Sequence, residues 1–73
     1  MQLKKSNCYR INRIKRDVPV SYRHKLMSMG LLPGTVFEVL GVAPLGDPVA
    51  IKVKDFCLSL RKKELAAMDI EAT

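Results

Sequence analysis

The sequence predicts an all-β domain of short strands with one short helix, built around a thin core. Three observations carry that prediction. Val49-Ala-Ile-Lys-Val-Lys54 alternates apolar and polar residues, Lys54-Asp55 turns the chain, and Phe56-Cys-Leu-Ser-Leu60 alternates again, which is the pattern of a hairpin. Turn residues recur at short intervals, at Pro19, Pro33-Gly34, Gly41, Pro44, Gly46 and Pro48. A helical stripe occurs once, where Tyr22, Leu26 and Met29 follow each other at i, i+4 and i+7.

Each element follows in order. Tyr9–Ile14 is rich in aromatic and β-branched residues and predicts a first strand. Ile11 and Ile14 lie three apart, so strict alternation needs a bulge or an early strand end. Lys15–Val20 is a loop, because Pro19 biases Val18 away from helix. Ser21 suits the N-cap of the helix, its hydroxyl able to accept from a first-turn amide. Arg23, Lys25 and Ser28 lie off the apolar stripe. Gly30 fits the position after the helix, where a left-handed residue closes it, and Leu31 then folds back on Leu26. Leu32-Pro-Gly-Thr35 matches a type II turn.

Thr35–Ala43 predicts a second strand with Phe37 and Val39 inward, Glu38 outward and a bend at Gly41. Pro44-Leu-Gly-Asp-Pro48 is a loop. In the hairpin, Val49, Ile51 and Val53 point in and Lys52 and Lys54 out. Phe56, Leu58 and Leu60 share a face, and both Phe37 and Phe56 are assigned to the core. Arg61–Leu65 suits a single helical turn, and Ala67–Glu71 a last strand with Met68 and Ile70 inward. Five short strands with a helix between the first two describe an SH3-like small β-barrel, whose closure would remove exposed edges. Residues 1–73 read as one domain, with residues 1–8 expected to be flexible.

Composition narrows the function. A chain of 73 residues buries only about 60% of its unfolded surface, too little for the deep pocket of most enzymes. Cys8 and Cys57 stand far apart with no second pair, which favours reduced thiols and a cytoplasmic protein. The start of the chain has no apolar core of signal-peptide length, and the apolar stretch Leu31–Gly46 is broken by proline, glycine and Glu38. The formal net charge of +6 gathers in the first 25 residues and in Arg61-Lys62-Lys63. Such charge attracts anionic partners. Its spread, with few aromatics beside it, favours solubility and general steering over nucleic-acid readout.

Chemistry is scarce. His24 is the sole histidine, with no acid nearby in sequence to orient it as a base. Cys8, His24 and Cys57 lack metal-ligand spacing, so neither a metal site nor a cofactor is expected. No GxxxxGK or GxGxxG segment is present. The two tyrosines and two phenylalanines are too few for an aromatic proline-peptide groove. What remains is surface: Met27, Leu31, Leu32, Pro33, Pro44, Leu45 and Pro48 either plug the barrel ends or form a partner-binding patch.

The blocks LMSMGLLPGT, APLGDPVAIKV and LSLRKKELAAM resemble the FeoA family of bacterial ferrous iron transport proteins. The blocks run from about Tyr22 to Ile70. Matching residues are Leu26, Gly30, Leu31, Pro33 and Gly34 in the first block, Pro44–Pro48 in the second, and Leu60, Arg61 and Lys62 in the third. Met1 to Cys8 departs from the leucine-rich opening of many relatives. The resemblance implies a cytoplasmic SH3-like barrel. It also implies a partner, the FeoB ferrous iron permease with its cytosolic GTP-binding domain, and so a membrane link only through FeoB. The expected contact surface comprises Leu26, Met27, Met29, Leu31, Leu32, Pro33, Pro44, Leu45 and Pro48, with Arg23 and Lys25 steering an acidic partner. A small nucleic-acid-binding barrel is the alternative, and weak homo-oligomerisation stays open.

Overall fold

The structure is a computed structural model and describes residues 3–73. The expectation of flexibility for residues 1–8 falls partly on Met1 and Gln2, which lie outside the described residues. In the rest of that segment, Leu3 packs against the core. The Ser6 amide donates to the Val39 carbonyl at 2.8 Å.

β1 (Cys8–Ile14) buries Tyr9, Ile11 and Ile14. Its register against β5 (Met68–Ala72) slips between Ile11 and Arg13, which returns Ile14 to the face used by Ile11. Of the two outcomes that the three-residue spacing allowed, a bulge or an early strand end, the fold takes the bulge.

The helix α1 (Val20–Ser28) starts one residue before Ser21, and Pro19, not Ser21, holds the N-cap position. Proline fixes its own φ and leaves its carbonyl free, and that carbonyl accepts from the Arg23 amide at 2.9 Å. At the other end the Leu31 amide donates to the Leu26 carbonyl at 3.2 Å and the Gly30 amide to the Met27 carbonyl at 3.0 Å. Gly30 has φ +88°, and the pair of bonds is a Schellman cap. The type II turn follows, with the Thr35 amide donating to the Leu32 carbonyl at 3.0 Å and Gly34 at φ +90°. The Gly34 amide then donates to the Ile11 carbonyl, which fastens the hook to β1.

β2 (Val36–Val42) is central, pairing with β1 on one side and β3 (Val49–Val53) on the other. Phe37 and Val39 face inward, and the register shifts between Val39 and Gly41, where a bend was expected. β3 turns through Lys54-Asp55 into β4 (Phe56–Leu60), with Lys54 at φ +52°.

Phe56 departs from its expected core position, being 42% exposed. The space on its inward side is taken by the helix cap: a Cβ added at Gly30 would lie 2.9 Å from the Phe56 ring. The ring therefore rests over glycine at the core's border.

Beyond β4 comes α2 (Lys62–Ala66), where the Glu64 carboxylate accepts from the Arg61 amide at 2.8 Å. The sheet order is β4-β3-β2-β1-β5. The architecture is the expected SH3-like curled sheet, but strand pairing does not close it, because β4 and β5 are joined through α2 instead of hydrogen-bonding to each other. α1 spans this opening: Tyr22 stands beside Ala66 and Ala67, and the cap at Gly30 meets Phe56. Leu26, in the middle of that helix, is fully buried. It joins Ile11, Leu31, Phe37, Ile51 and Leu60 in one core.

Candidate functional site

The expected contact surface divides into a buried part and two exposed parts. Leu26 and Leu31 are 0% exposed, which corrects their assignment to a docking face: the Schellman cap that pairs them also turns both into the core. Met29 is half-buried and packs on the core. Met27, Leu32 and Pro33 are exposed and present an apolar edge at the helix end and hook. Arg23 donates to the Lys15 carbonyl at 3.2 Å. The Lys25 ammonium lies 5.7 Å from the Tyr22 ring centroid, a cation–π contact. The Tyr22 hydroxyl is buried without a hydrogen-bond partner, and burial, with Glu64 nearby, raises its pKa.

Pro44, Leu45 and Pro48 form the second exposed part. Local hydrogen bonds shape their loop: the Gly46 amide donates to the Ala43 carbonyl at 2.7 Å, and the Ala43 amide to the Pro48 carbonyl at 3.1 Å. Asp47 ties the loop to α2, its Oδ1 accepting from the Lys62 amide at 3.0 Å. Between this loop, α2 and β5 lies an open cleft of about 880 Å³, walled by Val42, Val49, Leu65, Met68 and Ile70. No residue of the hook lines it. The sequence placed hook and loop on one surface, whereas the fold gives the loop a neighbour of its own.

Two lysines, Lys15 and Lys62, line the same cleft. Neither was singled out as a site residue, nor were Leu65, Met68 and Ile70. The one available signal was that Asp47 and Lys62 both fall in the matching sequence blocks. Their hydrogen bond gives that coincidence a structural reason.

Asp69 also lines the cleft, and across the sheet it pairs with Arg13. The Arg13 hydrogen bond lowers its carboxyl pKa below the ordinary 3.8, outweighing partial desolvation, with smaller help from the charges of Arg13 and Lys15. A lowered carboxylate pKa stabilises the fold above the unfolded value, and that contribution is lost as pH falls from there through the folded value. Asp69→Asn is therefore expected to change stability little at pH 7, because the pair is solvent-exposed. It should flatten the loss of stability below about pH 4. Thermal melts of both proteins across the acid range check this.

Cys8 and Cys57 are exposed free thiols. Registers place them at the two ends of a row through Glu38 and Lys52, across four adjacent strands. Among the described residues no three His, Cys, Asp or Glu side chains stand together as a metal-holding group. No helix among them is long and apolar enough to cross a membrane.

The FeoA domain family matches residues 1–72. The chain belongs to the FeoA family. Over 50 residues, 68% of its length, it is 34% identical to the Fe(2+) transport protein A/Fe(2+) transporter FeoB fusion protein of Porphyromonas gingivalis. It spans only 6% of that relative's length. Its fold matches the solution structure of iron(II) transport protein A from Clostridium thermocellum with a TM-score of 0.87 and 35% identity, covering 99% of this chain and 43% of that one. A Pseudomonas aeruginosa protein solved by NMR is 40% identical with a TM-score of 0.78, covering 99% of this chain and 97% of that one. The SH3-like FeoA fold thus extends over the hook, the loop and the cleft.

Proposed function

We propose that this FeoA-family protein is a small, cytoplasmic, non-catalytic accessory of ferrous iron transport that acts by binding the cytosolic GTP-binding domain of a FeoB permease. The observation that carries the reading is the likeness to the Porphyromonas gingivalis protein, whose name joins transport protein A and FeoB in one chain. Fusion of two activities in one polypeptide fits parts that work in contact. The geometry supports binding over catalysis: exposed apolar residues at Met27, Leu32, Pro33 and Leu45 outnumber any reactive group. Arg23 and Lys25 add positive charge on the helix beside Met27, suited to drawing in an acidic surface.

Co-purification of the chain with detergent-solubilised full-length FeoB, with and without guanine nucleotide, tests the reading. Retention on immobilised FeoB in at least one nucleotide state is the expected result. Absence of retention in every state, with both proteins folded, overturns it.

A further inference from the structure

We propose that the cleft between the 43–48 loop, α2 and β5 receives an acidic segment with aliphatic anchors from the partner. This rests on the FeoB association above, and it assigns the contact to one surface and one chemistry. Three features of the cleft lead there. Its floor is core, with Val49 and Met68 each 3% exposed, while Leu45 at the lip is 89% exposed, the most solvent-exposed large apolar side chain among the described residues. At about 880 Å³ it falls within the range of about 300–1,000 Å³ typical of ligand-binding clefts. No aromatic side chain lines it, so it offers aliphatic walls and no ring platform for a polyproline segment.

Charge selects the occupant. Lys15 and Lys62 line the cleft, and neither side chain is in an ion pair among the described residues. The acids nearby are already engaged: Asp69 by Arg13, and Asp47 by the Lys62 amide. A ligand carboxylate would thus meet two ammonium groups that form no ion pair, Lys15 giving only a minor share of the charge that holds Asp69 ionised. A second copy of this chain, bearing the same net charge of +6, would be repelled. The Asp47–Lys62 bond also holds loop and helix together before any partner arrives, so little ordering is left for binding to supply.

The test is a binding titration of detergent-solubilised full-length FeoB from the same genome against wild type, Leu45→Asp, Lys62→Glu and Lys54→Glu, at two salt concentrations. Leu45→Asp and Lys62→Glu are each expected to raise Kd by about tenfold or more. The effect of Lys62→Glu should shrink in high salt. Lys54→Glu changes the net charge equally but lies at the hairpin turn, away from the cleft, and should leave Kd near wild type. Lys15→Glu supplies the same reading should Lys62→Glu disturb α2. Failure of wild type to bind overturns the association itself. Binding by wild type that Leu45→Asp and Lys62→Glu leave unchanged overturns only the cleft. Equal weakening by Lys54→Glu and Lys62→Glu would assign the effect to net charge and also overturn it. Sedimentation of the chain alone completes the set: a dimer abolished by Leu45→Asp would give the cleft to a second copy and refute an acidic partner segment.

Discussion

Leu31→Asp is expected to abolish folding, while Leu32→Asp, one residue on, leaves the domain folded. Leu31 is 0% exposed and Leu32 is 40% exposed. Cutting a buried leucine back to alanine already costs about 2–5 kcal/mol. A carboxylate in the same apolar site adds the expense of desolvating a charge, or of protonating it to avoid that. At roughly 0.05–0.15 kcal/mol per residue, a domain of this length has about 4–11 kcal/mol in all. Leu31→Asp removes most or all of it. Leu32 instead occupies the first position of an exposed turn, where a polar residue is well tolerated, and its substitution should cost within about 1 kcal/mol. Thermal melts followed by circular dichroism separate the two. A cooperative melt of Leu31→Asp within a few degrees of wild type would contradict the burial on which the fold is argued.

The pair has a consequence for mapping function. Loss of partner binding in a Leu26 or Leu31 variant would report unfolding, so neither can locate an interface. Leu32, Met27 and Leu45 can, because their side chains reach solvent.

Which features were legible in the sequence follows from how local each one is. The Schellman cap and the type II turn are complete within a few residues, so Gly30, Leu31 and Pro33-Gly34 announced them without reference to the rest of the chain. The hairpin was equally plain, since period-two alternation survives in Val49–Val53 and Phe56–Leu60. Even the irregularity in β1 was signalled by Ile11 and Ile14, which cannot share a face on an unbroken strand, although the spacing left a bulge and an early strand end equally open. Alternation tells which face a residue uses, but not how far the cover over that face extends. Phe56 shows this: it shares an inward face with Leu60, yet the cover at its end of the strand is a glycine cap and the ring stays half in water. The pairing of Leu31 with Leu26 had already implied burial. Assigning the same two leucines to a docking surface set an average expectation for apolar residues near a helix end against a specific local one, and the local one prevailed.

The cleft was out of reach for a different reason. Its residues run from Leu3 to Ile70 and come from the segment before β1, a strand end, a loop, a helical turn and the last strand. No periodicity links them. They meet because the open side of the sheet brings α2 and β5 beside the 43–48 loop, an arrangement set by topology and not by any one segment.

The two phenylalanines give the second large effect. Phe37→Ala is expected to remove half or more of the domain's stability and to melt tens of degrees below wild type, while Phe56→Ala melts only a few degrees below it. Phe37 is 1% exposed, sits on the central strand opposite both Tyr9 and Val53, and stacks on Tyr9 with ring centroids 5.8 Å apart. Truncation costs about 3–5 kcal/mol in lost burial and cavity, and about 0.5–1.5 kcal/mol more for the aromatic pair. The damage spreads, because the Tyr9 hydroxyl accepts from the Lys4 amide at 2.9 Å and so anchors the segment before β1. Phe56 loses far less, since its ring is 42% exposed and covers only the helix cap. About 1 kcal/mol there corresponds to roughly 4–8 °C in a domain of this size. Melts of the two variants, followed in parallel, decide the matter by their order. Should Phe56→Ala prove the more damaging, the ring over Gly30 would be a keystone of the lid and α1, not β2, would dominate the stability of the fold.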